Sequence, residues 1–274
     1  MIYINRKKLD NILNMKLEDI LITFDFDRTM TSEDSTTSWG VIEKSHLIPE
    51  EYRLDSLKLY NYYRLIEINE EIDKEYRDNM MINWTMEQIN LFYKYNIDSY
   101  IFNKIMNEHH HLYFRSGLFS FLENLSKEKV PISIISAGLG NVVINSLEKN
   151  NLLKDNVFVI SNILKYVDNK INITGPIINS TNKSYVTLPK KLEELKNNKK
   201  MLILFGDQIS DVLIGKNFSN LLPINVGFLN DEINQCLDLY KKHFDIVCTN
   251  DEGYENIEKL LVKKDLKINK EFYD

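Results

Sequence analysis

Four apolar runs, Ile20–Phe24, Ile132–Ile135, Val157–Ile160 and Met201–Phe205, have the length and continuous hydrophobicity of strands buried on both faces. Leu222–Val226 and Phe244–Cys248 extend the series. Between these runs the pattern turns helical, over Val142–Asn150, Pro189–Lys196, Glu232–Lys241 and Tyr254–Lys263. Strands that alternate with helices predict an α/β fold, a parallel sheet with helices on both faces. Residues 5–16 predict a further helix that leads into the first strand. The rhythm breaks at Ser161–Ile178, where Ile163–Val167 and Lys170–Ile177 on either side of Asp168-Asn169 predict a β-hairpin.

One interval carries no strand pattern. Residues 33–115 separate the first strand from the second and contain the helical stretches Pro49–Asn61, Glu70–Trp84, Met86–Tyr95 and Ser99–His111. So long a connection is not a loop, and predicts an inserted helical subdomain. The chain then divides into a core of residues 1–32 and 116–274 and a helical insert of residues 33–115. Ligands of open α/β sheets bind beyond the carboxyl ends of the strands, so an insert leaving the first strand's end is expected to cover the site as a cap.

Composition narrows the function without naming it. The 274 residues carry a net charge of −6 with both signs mixed along the chain, so no nucleic-acid polymer is expected as a partner. The two cysteines, Cys236 and Cys248, make no disulfide framework, and Met1-Ile-Tyr-Ile-Asn-Arg-Lys-Lys lacks the apolar core of a signal peptide. The uncharged stretch Val130–Leu147 holds Pro131, Gly138, Gly140 and three serines, and reads as strand, turn and helix rather than a membrane span. A cytoplasmic protein with no membrane partner is expected.

The chemistry lies at the predicted strand ends. Asp25 and Asp27 follow the first strand directly, and two carboxylates there need a cation or hydrogen-bonding partners to offset their desolvation. Ser136-Ala137-Gly138 ends the second strand, where a hydroxyl and small residues let backbone amides approach an anion. Lys183 follows the hairpin, and Gly206-Asp207 with Asp211 follows Met201–Phe205. Acids, a hydroxyl and an ammonium brought together suit attack on a phosphate monoester beside Mg²⁺. In this reading Asp25 attacks phosphorus, and Asp27 protonates the leaving oxygen and later activates water. Asp207 completes the carboxylate ligands, Asp211 anchors a metal-bound water or Lys183, and Ser136 with nearby amides holds the phosphate oxygens. Lys190 and Lys191 are the alternatives to Lys183.

These four segments, Asp25-Phe-Asp-Arg-Thr29, Ser136, Lys183 and Gly206-Asp207…Asp211, resemble the motifs of the haloacid dehalogenase superfamily, in its order. Asp27 resembles the phosphotransferase branch. The resemblance implies a Rossmann-like doubly wound core, a Mg²⁺ ion and an aspartyl-phosphate intermediate. Its metal candidates are Asp25, Asp27, Asp207 and Asp211. Its phosphate-binding candidates are Thr29, Ser136, Ala137, Gly138 and Lys183.

A closer resemblance is to the cytosolic pyrimidine 5′-nucleotidases. It rests on Ser136-Ala-Gly-Leu-Gly140, Val159-Ile-Ser-Asn162, Asn182-Lys183, Val226-Gly-Phe-Leu-Asn-Asp231 and Phe244-Asp-Ile-Val247. In the insert it rests on Tyr62-Tyr63…Ile66-Glu67 and Met81…Trp84. It implies hydrolysis of a nucleoside 5′-monophosphate, with Glu67 where the family's cap glutamate contacts the base. Thr181, Ser184, Gln208 and Ser210 depart from the family's motifs and leave the base preference open. A phosphatase of another small metabolite and a non-catalytic binding protein of the same fold are the competing readings. Trp39, Trp84, Tyr62 and Tyr63 are expected to build the insert's own core. His109-His110-His111 is not expected to bind metal, because consecutive helical side chains diverge.

Overall fold

In the computed structural model, which describes residues 1–69, 71–108, 111–167 and 170–274, the chain enters through β1 (Ile2–Asn5). Asn5 then caps α1 (Arg6–Asn14) by accepting from the Lys7 amide. β2 (Ile20–Phe24) is buried at every position, as its unbroken apolar run requires. The next elements are all helical: α2 (Gly40–Lys44), α3 (Glu50–Glu67), α4 (Lys74–Lys94) and α5 (Ser99–Glu108). α6 (Leu118–Lys127) brings the chain back to the sheet, which continues with β3 (Ile132–Leu139), α7 (Gly140–Lys149), β4 (Val157–Val167) and β5 (Lys170–Thr174). Then come α8 (Lys190–Lys196), β6 (Met201–Gly206), a 3-10 helix at Ile209–Phe218, and β7 (Leu222–Leu229). The chain ends with α9 (Ile233–His243), β8 (Ile246–Thr249), α10 (Tyr254–Leu261) and β9 (Lys270–Tyr273).

The strands form one sheet in the order β5-β4-β3-β2-β6-β7-β8-β1-β9. β4, β3, β2, β6, β7 and β8 run parallel. From β2 the chain winds outward through β3 and β4, then crosses back to wind the other way through β6, β7 and β8. The reversal leaves a crevice at the carboxyl ends of β2, β3 and β6. Both faces are covered. On one, Ile12, Phe121, Tyr254 and Leu260 from α1, α6 and α10 pack on Phe24 and Phe205, whose rings stack at 4.7 Å. On the other, Leu192, Ile214 and Phe218 pack on Leu21, Leu202 and Leu204.

The helices between β2 and β3 share a hydrophobic cluster in which Ile42, Tyr52, Phe92 and Phe102 meet Leu139, Val142, Leu164 and Ile171. Their packing therefore runs on to the end of β3, to α7 and to the β4–β5 hairpin. α4 joins two stretches that the sequence reads separately, since no Gly or Pro lies between Trp84 and Met86 and the Thr85 hydroxyl donates to the Met81 carbonyl at 3.2 Å. β1 and β9 were not anticipated. β1 pairs antiparallel with β8 and parallel with β9, contacts between opposite ends of the chain that local patterning does not reveal. β5 stops at Thr174, short of the expected Ile177. Glu70, His109, His110 and the Asp168-Asn169 turn, all within expected elements, lie outside the described residues. Among the described residues no helix is long and apolar enough to cross a membrane.

Candidate active site

Asp25 is the first residue past β2, and its amide donates to the Phe205 carbonyl at 2.9 Å, carrying the β2–β6 pairing one step further. That bond holds the carboxylate at the mouth of the sheet, only 4% exposed. Lys183 lies in a 3-10 turn, Lys183–Tyr185, whose first carbonyl accepts from Asn217 on the Ile209–Phe218 helix at 2.7 Å. Its buried ammonium lies 2.6 Å from Asp25 Oδ1 and 2.8 Å from Asp211 Oδ1. Lys190 and Lys191 do not reach the site: Lys190 faces Glu194 in solvent, and Lys191 donates to the Asp155 carbonyl.

Asp211 also shapes the turn beyond β6. Its Oδ2 accepts from the amides of Asp207 at 3.2 Å and Gln208 at 2.9 Å. The turn is tight enough that a Cβ on Gly206 would lie 2.5 Å from Asp211 Cβ, so glycine is required there. This folding brings together Asp25, Asp207 and Asp211, each offering a carboxylate oxygen within 4.8 Å of the others. Such a compact set of hard oxygen donors fits a divalent cation of the Mg²⁺ type.

The charges are held under strain. Burial pushes the Asp25 carboxyl up to about 7, against the pull of Lys183 and with a further push from Asp211. Asp207 stands well above its ordinary value, first through burial and then through Asp211 and Asp25. Burial alone would lower the Lys183 ammonium, but Asp211 and Asp25 outweigh it and hold it above its usual value. A metal-free cluster of this kind favours protons, and a bound cation would replace them.

Asp27 is held separately. Its Oδ1 accepts the Ser38 amide and its Oδ2 the Ser38 hydroxyl, both at 2.7 Å. Burial raises its carboxyl and these two bonds oppose the rise. Asp27 is not one of the three clustered acids, and its side-chain oxygens are committed to Ser38. Ser136, Ala137 and Gly138 line the same pocket, with Ser136 Oγ accepting the Gly138 amide at 3.0 Å. Thr29 is not among the pocket-lining residues. It is fully buried, and its carbonyl accepts from Arg115 at 3.1 Å and from the Tyr254 hydroxyl at 3.2 Å.

The pocket above the acids measures about 550 Å³ and is roofed by α3 and α4. Glu67 lines it, with Oε1 accepting from the Ser180 hydroxyl and Oε2 lying 2.5 Å from Arg64. Trp39 and Trp84, expected as core, also line it. Tyr63 supports Trp84 from behind, stacked at 5.8 Å, whereas Tyr62 is exposed. Ser38, Arg115, Ser180 and Arg64 were missed by the sequence reading. Ser38 is one hydroxyl in a run of four, and Arg115 looks like any arginine near a helix start.

A family model described as pyrimidine 5′-nucleotidase (UMPH-1) matches residues 26–264. The 7-methylguanosine phosphate-specific 5′-nucleotidase of Drosophila melanogaster is 29% identical over 266 residues, covering 93% of this chain and 83% of that protein. The human protein of the same name is 24% identical, covering 86% and 82%. The crystal structure of cytosolic 5′-nucleotidase IIIB bound to cytidine superposes with a TM-score of 0.78 at 25% identity, covering 94% of this chain and 89% of that one. An apo phosphoserine phosphatase shares the fold, with a TM-score of 0.54 at 16% identity over 88% of this chain and 98% of that one.

Proposed function

Because this chain belongs to the pyrimidine 5′-nucleotidase (UMPH-1) family, within the haloacid dehalogenase superfamily, we propose that it converts nucleoside 5′-monophosphates to nucleoside and phosphate through a phosphorylated Asp25. It is a phosphoric monoester hydrolase of the 5′-nucleotidase type. The observation that carries the mechanism is Lys183 bridging Asp25 and Asp211 at 2.6 and 2.8 Å beneath a pocket that also holds Asp27 and Asp207.

Asp25, Asp207 and Asp211 would hold Mg²⁺, which supplies charge neutralisation for the incoming phosphate dianion. Lys183 adds a fixed positive charge beside the attacking carboxylate. The Ser136 hydroxyl and the amides around Gly138 hold non-bridging oxygens that gain charge in the transition state. An Asp25 oxygen forms a bond to phosphorus as the bond to the nucleoside 5′-oxygen breaks, and Asp27 gives its proton to that oxygen. In the second half Asp27 takes a proton from water, the water oxygen bonds phosphorus, and the Asp25–phosphorus bond breaks to release phosphate.

Residues 33–115 act as the cap in this reading. They exclude bulk water and present Glu67, Trp39 and Trp84 to the base. The protein works in the cytoplasm on a small phosphomonoester and not on a nucleic-acid polymer.

The test is phosphate release with Mg²⁺ over a panel of nucleoside monophosphates, 7-methyl-GMP, sugar phosphates and phosphoserine. Turnover is expected on nucleotides. No release from any nucleotide beside rapid hydrolysis of another ester would end the nucleotidase assignment.

A further inference from the structure

Ser38 is fully buried where the chain leaves the core for the first helix of the insert, and it belongs to none of the sequence motifs. It grips Asp27 by both carboxyl oxygens, with its amide on Oδ1 and its hydroxyl on Oδ2, each at 2.7 Å. The same hydroxyl oxygen accepts the Leu139 amide at 3.0 Å. An oxygen that accepts from Leu139 has its single hydrogen free for Asp27, so the direction of donation is set by the backbone at the end of β3. The fit depends on Gly138, where a Cβ would lie 2.0 Å from Ser38 Oγ and 2.9 Å from Asp27 Oδ2.

We propose that Ser38 is the positioning residue for Asp27, fixing the carboxyl in the orientation from which it protonates the leaving nucleoside oxygen. The inference rests on the mechanism above, in which Asp27 is the proton donor. A backbone amide donates to Oδ1 whether or not the acid carries its proton, so the carboxyl does not swing when the proton leaves. The Ser38 hydroxyl meets the negative charge that develops on Oδ2 as transfer proceeds. Because the hydroxyl is itself hung from Leu139, the acid stays in register with the phosphate cradle of Ser136–Gly138. Ser38 is not among the residues that line the pocket.

A positioning role for the proton donor has a signature that structural damage does not share. A nucleoside alkoxide is a poor leaving group that needs the proton, whereas 4-nitrophenolate leaves without one. The experiment compares kcat/KM, which reports transfer to Asp25, on the best nucleotide and on 4-nitrophenyl phosphate, for the wild type, S38A, S38T and D27N. S38A should lose about tenfold or more on the nucleotide through kcat, a fraction of the usual general-acid contribution, with about threefold or less lost on 4-nitrophenyl phosphate. S38T, which retains the hydroxyl, should recover most of the nucleotide rate. D27N should show the same leaving-group dependence with a larger loss.

Equal losses of S38A on both substrates, or none on either, beside a leaving-group-dependent D27N would overturn the role of Ser38 and leave Asp27 as the acid. A D27N variant with equal losses on both would overturn the acid and Ser38's role together. Thermal melts of each variant confirm that folded protein is compared.

Discussion

The Ser180 hydroxyl donates to Glu67 Oε1, joining the end of α3 to the loop that leads into Lys183. Glu67 is thus satisfied from the core through Ser180 and from its own helix through Arg64. A nucleobase that reads this carboxylate has to share or replace one of those partners. On the proposed base-reading role, substrate choice and the contact between α3 and the Lys183 loop share one side chain.

From this link, Glu67→Gln should change the ranking of nucleotides while leaving 4-nitrophenyl phosphate, which has no base, within about threefold of the wild type. Ser180→Ala should move the same ranking less. The measurement is kcat/KM across the nucleotide panel. A uniform loss on every substrate, the aryl phosphate included, would rule out base reading by Glu67.

Asp25→Asn removes the carboxylate proposed to attack but keeps its shape, and Asp211 remains to hold Lys183. Phosphate release should fall about 10³-fold or more, since an amide cannot form the covalent intermediate. The circular dichroism spectrum should match the wild type. Near-normal turnover would take Asp25 out of the nucleophile role.

Asp25 is pushed from an ordinary 3.8 up to about 7 in the folded protein, and Asp207 is raised as well. A raised carboxyl means that the folded state binds the proton more tightly. Its contribution is fully present below the unfolded pKa and is lost as pH rises through the folded one. Metal-free protein should therefore lose stability between about pH 4 and about pH 7 from this cluster. Mg²⁺ binds the ionised carboxylates, so it should raise the melting temperature more at about pH 8 than at about pH 5. At a hundredfold excess over Kd the gain is about 2.7 kcal/mol, or ~5–10 °C for a chain of this size. Differential scanning fluorimetry with and without Mg²⁺ at both pH values measures it, and an equal shift at both would count against the acidic cluster as the metal site.

Arg115 is almost wholly buried and braces the turn after Asp27. It donates to the Arg28 carbonyl at 2.7 Å, the Thr29 carbonyl at 3.1 Å, Asn230 Oδ1 at 2.8 Å and Asp251 Oδ1 at 2.5 Å. Its guanidinium also sits 4.1 Å above the Phe228 ring. Arg28 takes a left-handed φ of 58° in this turn, a conformation that costs a non-glycine residue about 1 kcal/mol or more. Arg115→Met removes one donor from each of these acceptors, leaving Tyr254 on the Thr29 carbonyl, Asn230 on the Arg28 carbonyl and the Glu33 amide on Asp251. It should cost about 2 kcal/mol, seen as a melting temperature lower by ~4–8 °C. Turnover should fall with it, because the turn after Asp27 fixes where the two acids stand beyond the carboxyl end of the central strand β2. An unchanged melting temperature would show that the turn does not depend on Arg115.

The parallel core was legible in the chain because strands buried on both faces must be continuous apolar runs, and all six expected strands are present. The helices between β2 and β3 were legible for the opposite reason, a long interval with helical periodicity and no strand pattern. Asp25 and Asp207 stood out because acids directly after buried strands need a use, whereas Lys183, in a polar loop with Lys190 and Lys191 as alternatives, was singled out by the family resemblance. Local sequence thus determined the parallel strands and the helices between them, while the doubly wound order was what the family resemblance implied.

What only the tertiary structure decided is how those residues are held. β1 and β9 join the sheet through pairings between the chain's two ends. Ser38 reaches Asp27 from the start of the insert, Arg115 reaches the same turn from the insert's far end, and Ser180 meets Glu67 across 113 residues. A serine or arginine carries no periodicity of its own that distinguishes a buried partner from a solvated surface residue. Its role depends on which distant groups the fold leaves without a hydrogen bond, and burial makes that pairing obligatory.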